Sequence, residues 1–399
     1  MTTRRHALKL LAAGAFSVLG LPGVVFAQAP GDRRFVLVLL RGALDGLAAV
    51  PPIGDPHYAG RRGAVALKPP GEPGGCLALD KLFALNPALA AIHPYWGKGE
   101  LLFVHASGNG YRTRSHFDAQ DLMESGLSAK GTMSDGWLNR ALAQLQKGDH
   151  RLGLAVGGAV PLVLRGPVPV ASWEPAALQD TSPEFMTALA QLYRGDPLLG
   201  PALGEGLKGQ NFSESVLGDD MAGGKRGFGP KSFAPLAAAA GKLLAAPDGP
   251  RLAVLEMGGW DTHVNQGTES GRLAENLRGL ADGLDALAQA LGPSWSQTVL
   301  VAVTEFGRTV AANGNNGTDH GTASVLFVMG GAVKGGRIAG DWPGLEQLQD
   351  DRDLRVATDS RRVMKALLRD HLGLDAATLD RKVFPDTTAL TPVSGLLRA

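Results

Sequence analysis

The stretch GGWDTH, residues 258–263, closes an apolar run, RLAVLEM (251–257), with two glycines, a tryptophan, an aspartate and a histidine. Turn chemistry accounts for the glycines. It does not account for Asp261 and His263 standing two residues apart. Three uses fit such a pair: metal ligands, a proton-transfer couple, or a hydrogen-bonded corner. Polar residues collect in the same way beside four other apolar runs. RGALDGL carries Arg41 and Asp45; HASGNGYRTRSHFDAQD carries His105, Arg112, Arg114, Ser115, His116 and Asp118; TEFGRT carries Glu305 and Arg308; NGNNGTDHGTAS carries Asp319 and His320. Of nine histidines, His105, His116, His263 and His320 fall in these clusters.

Taken singly, each has a plain reading, because an Asp or His after a strand often caps a helix or satisfies loop amides. The pairs Asp261 with His263 and Asp319 with His320 carry more. Mixed carboxylate and imidazole donors suit Zn, Mn or Fe, whereas all-oxygen sites suit Ca or Mg. Gly258, Gly259, Gly317 and Gly321 let backbone approach a ligand closely. Ser115 has two readings. It stands where a helix would start, so it is an N-cap residue. Flanked by Arg112, Arg114 and His116, at a helix end that favours anions, it also suits a nucleophile toward a phosphate or sulfate ester. His57, His93, His150 and His371 lack such surroundings and read as structural or surface residues, and Trp260 reads as packing.

The elements that must position these residues are short and recurrent. FVLVLL (35–40), LLFVHAS (101–107), LGLAV (152–156), LAVLEM (252–257), TVLVAVTEF (298–306) and VLFVMGG (325–331) are strand-like, and the first is apolar throughout, as in a strand covered on both faces. In residues 271–292, Leu273, Leu277, Leu280, Leu284, Leu287 and Leu291 recur at three and four, which predicts one amphipathic helix weakened by Gly279 and Gly283. Helices are also expected over 360–373 and 116–126. Strands alternating with helices predict an α/β fold with a largely parallel central sheet flanked by helices. Ligands of such sheets bind beyond the carboxyl ends of the strands, where the polar clusters stand. Residues 31–399 read as a single domain, with a Gly-rich insertion near 195–232 expected to be a loop or short helical excursion.

The first 27 residues read as a signal peptide: Arg4-Arg5, then an apolar stretch from Ala7 to Phe26, then small residues, with cleavage after Ala27. The arginine pair points to the twin-arginine type, which implies the twin-arginine translocase as a partner and a periplasmic or extracellular location. Removing Arg4, Arg5 and Lys9 leaves 36 basic against 38 acidic residues, a balance without the electrostatic footprint of a nucleic-acid binder. Cys76 is the only cysteine, so neither an intramolecular disulfide nor a thiolate metal cluster is available.

Several of these motifs occur together and in order: LLRGALDGLAAVPP, RSHFDAQDLMESG, GWLNRAL (136–142), GGWDTH, TEFGRT, NGNNGTDHG and GGAVKGGRIAGDWPGL. With the twin-arginine signal they resemble a bacterial family, the domain of unknown function numbered 1501, over nearly the whole mature chain. That family looks like a distant branch of the alkaline phosphatase-like superfamily of phosphatases, sulfatases and phosphodiesterases. The resemblance implies an alkaline phosphatase-like sheet and one or two divalent metal ions (Zn, Mn, Fe or Ca). It implies Ser115 as nucleophile candidate, helped by His116, Arg114 and Arg308. It implies metal ligands among Asp45, Asp261, His263, Glu305, Asp319 and His320. One departure is plain: where the superfamily has Asp-His after the strand equivalent to TVLVAVT, this chain has Glu305 and Phe306. Two functions are therefore expected: a metal-dependent hydrolase of phosphate or sulfate esters on small molecules or polymers, or a non-catalytic cell-envelope protein that binds an envelope partner on a decayed hydrolase fold.

Overall fold

The first apolar run forms strand β1 (Arg34–Arg41), whose residues are buried up to the last one. Its side chains alternate as a strand requires. Val36, Val38 and Leu40 join the core on one face of the sheet, and Phe35, Leu37 and Leu39 join the core on the other. The computed structural model describes residues 32–398 except 130, 132–133, 146–151, 176–181, 198 and 219–228. Residues 1–27, expected to be a signal peptide, lie outside the described residues.

The remaining five runs supply β2 (Leu101–Gly108), β3 (Gly153–Val156), β5 (Leu252–Gly258), β6 (Thr298–Thr304) and β7 (Ser324–Met329), and short strands β4 (Ala171–Trp173), β8 (Arg337–Ala339) and β9 (Thr358–Asp359), which the sequence did not mark, complete the sheet. The order is β8-β2-β7-β6-β1-β5-β3-β4, with β9 also paired to β2. Every pairing is parallel except those of β7, which runs antiparallel to β2 and β6. The register decides where the site lies. Arg41 is level with Gly258 across one edge of β1, and Leu40 is level with Thr304 across the other. The segments that begin at residues 42, 259 and 305 therefore leave the sheet side by side.

Eight helices matter to the packing: α1 (Gly46–Ala49), α2 (His116–Ser125), α3 (Trp137–Leu145), α4 (Pro183–Tyr193), α5 (Leu199–Leu217), α6 (Pro230–Ala245), α7 (Arg272–Leu291) and α8 (Ser360–Leu372). The six leucines that predicted α7 are all within 1% of complete burial. Gly279 and Gly283 have a packing reason. A Cβ at Gly279 would lie 2.5 Å from Pro230, and one at Gly283 2.2 Å from the Phe233 ring, so the two glycines let α6 lie against α7. The insertion near 195–232, expected as a loop or short helical excursion, is helical over the 19 residues Leu199–Leu217. Its apolar residues explain the length of the helix: Leu199, Leu203 and Leu207 recur at four and pack with Leu189 and Tyr193 of α4. Among the described residues no helix is long and apolar enough to cross a membrane. Cys76 is buried, and burial pushes its thiol up to about 12, which leaves it unreactive.

Candidate metal centre

Two interlocked segments build the site beyond the ends of β5 and β6. After β5, Trp260 is fully buried and its Nε1 donates to the Met257 carbonyl at 2.9 Å, which anchors the turn that carries Asp261 and His263. After β6, the chain folds back so that Arg308 and His320 face each other in an antiparallel bridge. Asn313 ties the two segments together. Its Nδ2 donates to the His263 carbonyl at 2.9 Å and to Asp319 Oδ1 at 3.0 Å, while its Oδ1 accepts from the Asn315 and Gly317 amides. Gly317 is pressed against the other segment, where a Cβ would come within 2.3 Å of the His263 carbonyl carbon.

Three imidazoles meet between these segments and the start of α2. His320 Nε2 lies 2.9 Å from His116 Nε2 and 3.0 Å from His263 Nε2. Asp261 Oδ1 joins them, 2.8 Å from His263 Nε2, 3.1 Å from His320 Nε2 and 3.6 Å from His116 Nε2. The opposite nitrogen of each ring faces an oxygen. His116 Nδ1 is 2.8 Å from Glu305 Oε1, His263 Nδ1 is 3.0 Å from Asp319 Oδ1, and His320 Nδ1 is 2.9 Å from the Arg114 carbonyl. A carbonyl or an ionised carboxylate only accepts, so these partners assign the proton to Nδ1. In the neutral rings the three Nε2 lone pairs then point inward at one another. Arg114 aims its carbonyl from the left-handed backbone region, at φ 59°, a conformation uncommon for a non-glycine residue.

The electrostatics follow from these contacts. The hydrogen bond that His116 donates to Glu305, and the negative charge of Glu305, raise the His116 pKa against the opposing effect of burial. Burial lowers that of His320. Burial also disfavours ionised Asp261, but the Arg308 guanidinium, His263 and His320 together hold its carboxyl below the ordinary range. Glu305 is 1% exposed, and burial again opposes its charge. Donors from His116, Gln120 at 3.0 Å and Thr304 at 2.8 Å prevail, so it stays ionised. The amide of Gly42 donates to the same Oε1 at 2.9 Å. Asp319 is held low by its bonds from Asn313 and His263.

The remaining predicted site residues are placed as follows. Asp45 is 1% exposed. Its Oδ2 accepts from Arg62 at 2.7 Å and from Gln266 at 2.8 Å, and its Oδ1 caps α1 through the Ala48 amide at 3.0 Å. Both of its oxygens thus have protein partners away from the imidazoles. Glu305 and Asp319 bind the far sides of His116 and His263 and lie behind the ring nitrogens that converge. The Arg114 guanidinium points to Asp350 and Asp353. Arg308 donates to Asp261 at 2.6 Å from beneath the site, itself 1% exposed. Ser115 precedes α2 without a side-chain capping bond. Phe306 stacks on His116, with ring centroids 5.0 Å apart. His105 is buried away from the site, with Nε2 2.9 Å from the Val50 carbonyl. Sequence reasoning did not single out Gln120, Thr262, Gln266, Asn313 or Thr318, although all five stand inside or next to the motifs. Their signal was only their position.

A His/Asp group able to hold a metal ion, His116, Asp261 and His320, at the strand ends of a largely parallel α/β sheet defines the general class. Residues 111–384 match the family model described as "Protein of unknown function (DUF1501)", and the chain belongs to that family. No curated relative matches the sequence. Among solved structures it is similar to the C-terminal periplasmic domain of EcEptC from Escherichia coli in complex with Zn. That match has 12% identity and a TM-score of 0.36, over 92% of this chain and 91% of that one. It is similar to the lipoteichoic acid synthase LtaP from Listeria monocytogenes, with 10% identity and a TM-score of 0.38, over 96% and 82% of the two chains. It is also similar to the phosphonate monoester hydrolase of Agrobacterium radiobacter, with 13% identity and a TM-score of 0.35, over 86% and 74%.

Proposed function

We propose that the mature chain is an exported metal-dependent hydrolase of phosphate or sulfate esters, with one divalent ion held by His116, His263, His320 and Asp261. The observation that carries this reading is the orientation of the three imidazoles: each Nδ1 is held by an oxygen and each Nε2 is turned inward. Carboxylate or carbonyl partners on the far nitrogen are what metal-binding histidines use to fix their tautomer. The spacing fits as well. Ligands about 2.0–2.1 Å from a tetrahedral zinc stand about 3.3 Å from one another, and His320 Nε2 stands 2.9, 3.0 and 3.1 Å from the donors of His116, His263 and Asp261. Imidazole-rich donors favour zinc, with manganese or iron as alternatives, over calcium.

A divalent ion there supplies a Lewis acid and lowers the pKa of a bound water or hydroxyl. The chain's own residues do the rest. Ser115, at the N-terminal end of α2 beside His116, is the nucleophile candidate, and a water is its alternative. The free amides of that helix end and the exposed Arg112 favour an anionic ester. Arg308 keeps Asp261 ionised and fixed, and the Arg114 backbone fixes His320. The twin-arginine translocase would deliver the folded chain across the membrane.

A second reading has its own observation. Arg41 bridges Glu124 at 2.8 Å and Glu256, so these two carboxylates near the site are neutralised by a guanidinium. With Phe306 packed on His116, the site offers one cation position and no second one among the described residues. A non-catalytic envelope protein that keeps a single structural ion, and uses another surface for an envelope partner, fits that arrangement. Metal analysis of the mature protein, purified without chelator, followed by a screen of aryl phosphates and sulfates, tests both. About one equivalent of zinc, lost in His263→Ala, with ester turnover, is the result expected for the hydrolase. Zinc without turnover favours the envelope protein. Protein that neither carries nor takes up zinc, manganese or iron overturns the metal centre itself.

A further inference from the structure

Asp261 and His263 are held from below by a buried polar chain that reaches back to Asp45. Arg308 donates from Nη1 to Asp261 Oδ1 at 2.6 Å, from Nε to Thr318 Oγ1 at 3.2 Å, and from Nη2 to the Thr318 carbonyl. The Thr318 hydroxyl donates to Gln266 Oε1 at 2.6 Å, and the Thr262 hydroxyl donates to the same oxygen at 2.8 Å. Gln266 Nε2 donates to Asp45 Oδ2 at 2.8 Å, and Arg62 closes the chain on that oxygen at 2.7 Å. Asp45, Arg62, Thr262, Gln266, Arg308 and Thr318 are all at most 1% exposed.

The direction of every link is fixed from its two ends. Asp45 and Asp261 only accept, and Arg62 and Arg308 only donate. Gln266 must therefore present its amide nitrogen to Asp45 and its carbonyl to the two threonines. Thr318 must then donate to Gln266 and accept from Arg308. A buried chain with one consistent set of donors is rigid, because rotating any member leaves a buried group unpaired. Thr262 stands between Asp261 and His263, so its bond to Gln266 fixes the backbone from which both donors project.

We infer that Gln266 and Thr318 are positioning residues for the metal centre, and that the buried Asp45–Arg62 pair is the anchor against which the Asp261–His263 turn is aligned. This inference rests on the metal-binding reading above. It assigns Asp45 a role at the opposite end of a chain of hydrogen bonds from the ion.

The test compares Thr318→Val, which keeps the shape and removes the hydroxyl, with Thr318→Ser, which keeps the hydroxyl. Zinc affinity is measured by competition with a chromophoric chelator, and the absorption spectrum of the cobalt-substituted protein reports the geometry of the donors. The expected result is a loss of roughly 10- to 100-fold in zinc affinity for Thr318→Val, the range typical of outer partners, with a changed cobalt spectrum. Thr318→Ser should restore both. Equal zinc affinity and an unchanged spectrum in folded Thr318→Val would overturn the inference while leaving the metal centre intact. Wild-type protein that takes up no zinc would overturn both. If Thr318→Val fails to fold, Gln266→Asn serves instead: its shorter side chain cannot span Asp45 and Thr318, so wild-type affinity in that variant is again the overturning result.

Discussion

Two groups of histidines occupy different environments in this molecule. His105 and His371 sit inside the fold, 1% and 3% exposed, with Nε2 on the carbonyls of Val50 and Arg34. His105 is further enclosed by the rings of Phe83 and Trp342. His116, His263 and His320 stand beyond the strand ends with side chains 23%, 39% and 24% exposed. Their Nδ1 atoms are anchored and their Nε2 atoms are turned to one point. The interior pair is held neutral by burial, and the outer three are oriented by oxygens. An imidazole in this fold becomes a candidate ligand when its second nitrogen is left facing other donors, and a structural group when that nitrogen has a backbone partner or none but apolar neighbours.

The largest effect expected from this contrast is on stability against pH. Burial pushes both His105 and His371 from 6.5 down to about 4. The unfolded chain takes up these protons first as the pH falls below about 6.5. The folded state therefore loses stability from about pH 6.5 down to about 4, and the two groups contribute no further loss below that. At 1.36 kcal/mol per unit, the loss is roughly 3 kcal/mol for each residue. Urea unfolding between pH 7 and 4 should show this slope, reduced in a His105→Gln, His371→Gln variant whose side chains do not titrate. An identical slope in that variant would mean that burial does not keep the interior pair neutral in the folded chain over this range.

The next effect separates the two groups by metal binding. His320→Ala should weaken zinc binding by at least about a hundredfold, beyond the range typical of outer partners, because His320 Nε2 stands against all three other donors. His105→Gln should leave zinc affinity as it is. Isothermal titration of both variants reads the difference. Weakened binding in His105→Gln, at full folding, would erase the distinction.

The sequence made one half of this contrast readable. His116, His263 and His320 were identified from polar residues clustered after apolar runs, and the six leucines of α7 and the largely parallel sheet followed from periodicity alone. His105 stood in the same kind of cluster and looked equivalent. Its burial depends on Phe83 and Trp342, which are distant in sequence, and no local pattern records them. The same reason hid the partner of Asp45. Arg62 lies 17 residues on in a short helix, Tyr58–Arg62, and only the folding of that segment over the end of β1 brings the two together. The length of the helix over Leu199–Leu217 was not readable, because its glycines outweigh a leucine stripe that gains meaning only against α4. Residue type and spacing are local properties, whereas partner choice is set by which segments leave the sheet side by side.

Smaller effects sharpen the description of the outer group. Glu305→Gln keeps the size and the oxygen that His116 Nδ1 contacts but removes a buried negative charge. Zinc affinity should fall by roughly 10- to 100-fold. Asp319→Asn makes the same change behind His263, and its effect should be the smallest of the set, below about tenfold. Asp319 has a side chain 51% exposed, against none for Glu305, so solvent already screens much of its charge. The asparagine also retains an oxygen for His263 Nδ1. The ordering of these two variants is a direct reading of burial. If Asp319→Asn weakened zinc binding more than Glu305→Gln, Asp319 would have to be acting on the ion itself rather than through His263.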